Sequence, residues 1–153
     1  MGKWHLAGKY NQNNGRDAVY PDQRGFDHFY GILGGASSFY APFGLKRNRD
    51  SIDNEFMNDE NYYFTNAIGD EAISFLQKSR VDQPFFLYLP FTAAHWPLHA
   101  PKDAIDRYRG KFSAGWDELR KKRLQKMKAL GVIDPSVKLS PRNPKVPSWK
   151  DEK

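Results

Sequence analysis

An α/β fold is what this sequence predicts, and three observations predict it. Phe85-Phe86-Leu87-Tyr88-Leu89 is a continuous apolar and aromatic run, the pattern of a strand buried on both faces inside a parallel sheet. Ahead of it, Ile68, Ala72, Phe75 and Leu76 recur at i, i+4, i+7 and i+8 and form one apolar helical face. The short link Val81-Asp82-Gln83-Pro84 joins the two, and helix, loop and buried strand make half of an α/β unit.

Taken in order, the chain opens with Gly2-Lys3-Trp4-His5-Leu6, which reads as the end of a strand. From Gly8 to Gly35 the turn residues dominate, with Asn-Asn-Gly, Pro-Asp-Gln and Gly-Gly as punctuation. Within that region Phe26, Phe29 and Tyr30 can cover one side of a turn. Little regular structure is expected as far as Tyr62, and the charged stretch Arg47–Asp59 is expected as an exposed loop or hairpin. Thr65 suits an N-cap for a helix reaching about Lys78. Asp70 and Glu71 fall toward its positive end, and Lys78 and Arg80 toward its negative end. Pro84 and Pro90 bracket the apolar run, since proline gives no N–H to a ladder. Lys102–Arg109 suggests a short helix ended by Gly110. A longer helix is expected from Trp116 to about Leu130, with Gly131 at its C-cap and Pro135 as a stop. Its apolar stripe (Trp116, Leu119, Leu124, Met127, Leu130) is irregular, and Arg120–Arg123 and Lys126 are expected in solvent. The tail from Ser136 has prolines at 141, 144 and 147 and little to pack, so it reads as extended or disordered. The domain reading is therefore a folded segment, 1–135, followed by a basic Pro-rich tail, 136–153.

At 153 residues the chain has the length of one domain. No apolar run approaches the ~20 residues of a membrane span, and no leader-like apolar segment follows Met1. Without cysteine there are no disulfides, thiolate metal sites or cysteine nucleophile. The net charge of +6 is uneven: residues 102–153 hold 15 of the 24 Lys and Arg but 7 of the 18 Asp and Glu. Such a basic third could attract nucleic acid, through the Arg120–Lys128 helix, or an anionic surface, although a solvated helix face is the commoner meaning.

The candidate chemistry lies in two places. The loop after the apolar run carries His95 and His99 among Trp96, Pro97 and Pro101, and ligands of α/β sheets gather beyond the carboxyl ends of the strands. A Pro-rich loop with merely hydrogen-bonded histidines is the plainer reading. Lys3 and His5, two apart on a strand-like segment, share a face by the period of two. A cation beside an imidazole suits an anion; two exposed side chains at a frayed end is the alternative. There is no G-x-S-x-G elbow and no P-loop. His95 and His99 lack the Glu of H-E-x-x-H, and Pro97 between them argues against one helical face for zinc.

Several segments together resemble the type I arylsulfatases of the alkaline-phosphatase-like superfamily. They are Gly2-Lys3-Trp4-His5-Leu6, Arg24-Gly25-Phe26-Asp27 with Phe29-Tyr30-Gly31, Tyr63-x-Thr65, Pro84–Leu89, and His95-Trp96-Pro97-Leu98-His99-Ala100-Pro101. Tyr108-x-Gly110-x-Phe112 and Gly115-Trp116-Asp117 continue the series, so the resemblance covers most of residues 1–131. It implies a partial sulfatase fold, a parallel-type sheet flanked by helices and incomplete at both ends, in a chain that is an internal fragment. It implies sulfate-ester hydrolysis through formylglycine and a calcium or magnesium ion. By the resemblance Lys3 contacts sulfate and formylglycine, His5 holds the formylglycine hydroxyl, His95 binds sulfate or protonates the leaving alcohol, and His99 is a secondary substrate contact.

The departures are as informative. The sequence has no Cys and no Ser-x-Pro-x-Arg to become formylglycine, and the family's Asp and Asn metal ligands have no counterpart in it. Asn66 stands where the family usually has Asp. The chain alone is therefore expected to be inactive. The expected partner is a small sulfate ester or a sulfated glycan, not nucleic acid, and an extracytoplasmic or periplasmic parent follows from the family only. The alternatives are a non-catalytic module binding sulfate or sulfated glycans, and a phosphonate or phosphodiester hydrolase on the same scaffold.

Overall fold

The computed structural model describes residues 1–7, 20–80 and 82–152. The Asn-Asn-Gly stretch of the early turn region, and Val81 of the link before the apolar run, lie outside them. The chain divides into two compact units, Met1–Ala100 and Pro101–Lys153. The step in composition at 135/136 falls within the second. No helix among the described residues is long and apolar enough to cross a membrane.

The first unit is built on a mixed four-stranded sheet of order β1-β2-β3-β4, formed by Gly2–Lys3, Tyr30–Ile32, Leu45–Arg47 and Asp50–Ser51. β1 and β2 are parallel, with Gly2 opposite Gly31; β2–β3 and β3–β4 are antiparallel. The parallel sheet of the sequence reading is thus present as one parallel pair, with an antiparallel hairpin beside it. That hairpin turns at Asn48 and Arg49. Asn48 takes a φ of 53°, a left-handed value that asparagine tolerates, and its side-chain oxygen accepts from Phe29 N at 2.9 Å. The stretch Arg47–Asp59 is therefore a hairpin followed by one helical turn, α1, at Asn54–Met57.

α2 spans Phe64–Lys78 and packs on β2. Phe64, Ile68 and Ala72, spaced by four, are its buried stripe. They join Met1, Tyr30, Ile32, Leu45, Phe56 and Tyr62 in the main core. Three details of the sequence reading are corrected here. The helix starts one residue before Thr65, whose hydroxyl is buried and has no hydrogen-bond partner among the described residues rather than capping. Leu76 is 44 % exposed and does not extend the stripe. Glu71 lies in the second turn and serves an ion cluster instead of the helix end.

The largest correction concerns Phe85–Leu89. It is extended but forms no strand, and Phe85, Phe86 and Tyr88 are 55, 77 and 44 % exposed. Only Leu87 and Leu89 turn to the core. The run does lie along β1: Met1 N donates to Tyr88 O (2.6 Å) and Lys3 N to Pro90 O (2.9 Å). Both partners advance by two, so the run is parallel to β1. A parallel ladder needs a return bond from residue 90 to the Met1 carbonyl, and Pro90 has no N–H to make it. One edge is thus half-bonded to β1 and one face is open. Close approach on both sides of β1 requires glycine. A Cβ at Gly2 would stand 2.2 Å from Pro90 O, and one at Gly31 1.8 Å from Gly2 O.

In the second unit α3 covers Lys102–Tyr108 and α4 covers Gly115–Ala129, close to the expected ranges. The stripe on α4 is half-buried at Leu119, Leu124 and Met127, while Leu130 is exposed. The tail is extended, as expected, but it does pack. Trp149 meets Trp116 edge-on at 4.9 Å and donates through Nε1 to Ser113 O (3.0 Å). Arg120 bonds Ser140 twice, and Arg142 lies 3.6 Å from Asp117. Trp149 supplies apolar surface that proline counting overlooks.

Candidate functional site

Three chain segments run in the same direction side by side: residues 85–90, β1 and β2. The bonds that align them continue past the strands, from Trp4 N to Ile32 O (2.9 Å) and from His5 N to Leu33 O (3.1 Å). All three therefore leave the sheet at one end, the carboxyl end where an α/β sheet presents its ligands. The exits are residues 91–99 with His95 and His99, residues 4–7 with His5, and residues 33–40. Lys3 is the last residue of β1. Backbone pairing thus brings Lys3, His5 and the start of the His95 loop to one edge.

The side-chain arrangement departs from the simple alternation. β1 ends at Lys3 and His5 has a φ of 56°, so the period of two that put Lys3 and His5 on one face stops before His5. The His5 ring instead lies on the Gly35 backbone, where an added Cβ would be 2.3 Å from Nε2. Gly35 is what admits the imidazole. The Lys3 ammonium has no acidic partner among the described residues, which leaves its charge available to an anion.

His95 is exposed. Its backbone N–H donates to Thr92 O (2.9 Å), and Thr92 itself is 2 % exposed with an unpartnered hydroxyl. The His95 Nδ1 lies 2.8 Å from Trp96 O. A carbonyl oxygen only accepts, so Nδ1 carries a proton. Nε2 is then a free lone pair when the ring is neutral and a donor when it is charged. His99 is the reverse: its Nδ1 accepts from Phe39 N at 3.3 Å, so the proton of the neutral ring is on Nε2. Its carbonyl accepts from Tyr63 Oη at 3.3 Å. The loop is not helical, as Pro97 implied.

The donors at this edge are an ammonium and imidazoles, which suit an anion. They do not fit a calcium or magnesium ion, which takes carboxylate and amide oxygens. Among the described residues no group of three His, Asp or Glu side chains could hold a metal ion.

A second polar cluster, not singled out from the sequence, sits between α2 and the sheet. Arg47 bonds Glu55 (2.7 Å) and Glu71 (3.2 Å), and His28 Nε2 lies 3.0 Å from Glu71. Burial works against the Glu71 charge, but the bonds from Arg47 and His28 outweigh it and hold the carboxyl below its ordinary value. Burial likewise pushes the Tyr30 hydroxyl up to about 12, although its bond to Tyr62 works the other way. The Tyr30–Tyr62 bond is 3.0 Å. The cluster joins residues 28, 47, 55 and 71, a separation no local pattern reveals, and its charges are internally satisfied. We read it as structural. A cavity of this unit, about 570 Å³, is lined by Met1, Phe26, His28, Phe75, Phe85 and Phe86 among others. None of Lys3, His5, His95 or His99 lines it, so it marks the open flank of the 85–88 run, not the anion edge.

Comparison with known proteins gives the following. Residues 1–139 match the Sulfatase family. An uncharacterized sulfatase of Schizosaccharomyces pombe is 37 % identical over 150 residues, which is 89 % of this chain and 26 % of that protein. An arylsulfatase of Klebsiella aerogenes is 31 % identical over 139 residues, 86 % of this chain and 28 % of its own length. Mouse arylsulfatase J is 30 % identical over 116 residues, 71 % and 18 % respectively. The chain thus spans about a quarter of the length of the first two relatives.

Proposed function

The chain belongs to the sulfatase family, and on that premise we propose that its first unit is the sulfate-binding wall of a sulfuric ester hydrolase. The observation that supports this reading is the common exit of three parallel segments, with Lys3, which has no acidic partner among the described residues, His5 and the start of the His95 loop at one edge. A sulfate monoester is an anion. Lys3 balances its charge, and imidazole N–H groups donate to its oxygens. When a nucleophile, which this sequence does not supply, takes the sulfuryl group and the S–O bond to the alcohol breaks, the electron pair stays on the alcohol oxygen and a proton must reach it. The charged form of His95, with Nδ1 committed to Trp96 O, supplies that proton from Nε2.

Family members use a formylglycine and a divalent ion. This sequence has no cysteine and no Ser-x-Pro-x-Arg, and the donors at its anion edge do not fit a calcium or magnesium ion. Hydrolysis belongs to a protein that supplies them, and the chain by itself binds without turning over. The same donors suit a phosphate or phosphonate ester; the arylsulfatases of Klebsiella and mouse favour sulfate.

The test is an NMR titration of the chain with sodium sulfate at low ionic strength. Shifts at Lys3, His5 and His95 are expected to saturate. Lys3→Ala should weaken binding about tenfold, in line with the loss of one charge-assisted contact of roughly 1.5 kcal/mol. Sulfate binding that ignores Lys3→Ala and His95→Ala would sink the wall. Metal-dependent turnover of 4-nitrophenyl sulfate by the chain, lost in Lys3→Ala, would overturn its inactivity.

A further inference from the structure

Beside the anion edge lies an aromatic cluster built around His99. Tyr40 packs on Tyr63 (5.3 Å between ring centres) and on the His99 ring (5.4 Å), at interplanar angles of 44° and 43°. Phe39, 1 % exposed, lies behind them, edge-on to His99 at 5.8 Å. Three separate segments fix the group. The Ser38 hydroxyl accepts from Tyr40 N and Ala41 N, both at 3.2 Å. Phe64 N donates to Phe39 O at 2.7 Å, which pins the start of α2 beside Tyr63. Phe39 N and Tyr63 Oη hold the two ends of His99.

A filler cluster would be covered, but Tyr40 is 42 % exposed and its hydroxyl has no partner among the described residues. Its position matters as much. The loop that ends at Tyr40 begins where Leu33 and Gly35 contact His5, and the loop that ends at His99 begins at residue 91 and carries His95. Anion edge and aromatic cluster are the two ends of the same pair of loops. They are the path along which the alcohol portion of an ester held by its sulfate at the edge would extend.

We propose that Tyr40, with Tyr63 and His99 behind it, is a shelf that stacks the ring of the sulfate ester's alcohol, an aryl ring or the apolar face of a pyranose. This rests on the sulfate-wall reading and narrows it from any sulfate ester to one whose alcohol carries a ring. Offset and tilted ring contacts are the favoured ones, and the 42 % exposure of Tyr40 leaves ring surface for the ligand.

The experiment titrates the chain with methyl sulfate, 4-nitrophenyl sulfate and glucosamine 6-sulfate, following the Tyr40, Tyr63 and His99 ring resonances. At least one ring-bearing ester should bind about three- to tenfold tighter than methyl sulfate, the scale of one ring contact. Which one does so separates aryl from sugar. Tyr40→Ala should erase that gain and leave methyl sulfate unchanged, whereas Tyr40→Phe should keep it. A ring gain absent from the wild type, or intact in Tyr40→Ala, overturns the shelf. Failure of the wall is read separately, because Lys3→Ala then leaves inorganic sulfate binding unaltered. In that case 4-nitrophenol, which carries the ring without the sulfate, still perturbs the three rings if the shelf is real and leaves them unmoved if it is not.

Discussion

His95 and His99 are four residues apart and carry their protons on opposite nitrogens. Each is set by one backbone group: the Trp96 carbonyl fixes Nδ1–H on His95, and the Phe39 N–H fixes a bare Nδ1 on His99. Two histidines in one loop therefore have different chemistry, one with a free Nε2 and one with an Nε2–H. Glycine decides at the same scale whether the wall can assemble. Gly31 has a φ of 149°, and a Cβ there would meet Gly2 O at 1.8 Å. Gly31→Ala combines backbone strain with a backbone clash that no side chain can relieve. It is expected to destabilise the chain by about 2–4 kcal/mol. A urea midpoint matching the wild type would show that β1 and β2 do not approach as described.

At the scale of elements, the joint between α2 and the sheet rests on Arg47, Glu55, Glu71 and His28. The Glu71 carboxyl is held below its ordinary value of 4.5. A depressed carboxyl stabilises the fold fully above its ordinary pKa, and that contribution is lost as pH falls through the lowered value. Glu71→Gln should therefore cost about 1–3 kcal/mol at pH 6, the scale of hydrogen bonds to a charged group. The gap to the wild type should shrink steadily toward pH 3. Urea unfolding of both proteins across that range checks it, and a gap independent of pH would rule out the charged pairing. The sequence displays Glu71 on a helix and Arg47 on a hairpin, 24 residues apart. Only the register that sets Tyr30 against Arg47 shows that they meet. The elements themselves were far more legible: α3 and α4 lie within a residue or so of their expected ranges, because proline, glycine and helical spacing act locally.

At the scale of the molecule, charge and apolar surface are distributed unequally. The first unit is slightly acidic and the second carries the whole basic excess. The 85–88 run leaves Phe85, Phe86 and Tyr88 in solvent along an extended segment whose outer side is unpaired. Such an edge invites association. The chain should scatter light increasingly with concentration, and Phe86→Lys should reduce this without lowering the thermal midpoint, since Phe86 is 77 % exposed. Equal scattering by both proteins would mean the run is not the contact.

By itself, the sequence determined the local features: a helix from about Thr65 to Lys78, an exposed loop or hairpin within 47–59, the two C-terminal helices, and the order of short segments that resembles the sulfatases. Periodicity, turn residues and charge are short-range, so they can be read one window at a time. Only the tertiary structure decided that Phe85–Leu89 is half-exposed, because its burial depends on neighbouring strands and its ladder fails at Pro90. The structure also decided that His5 turns off the strand onto Gly35, that the tail is tied down by Trp149, and that Tyr40, Tyr63 and His99 share one face. Each of these depends on which distant segments are adjacent, and adjacency is set by packing and backbone pairing across the fold.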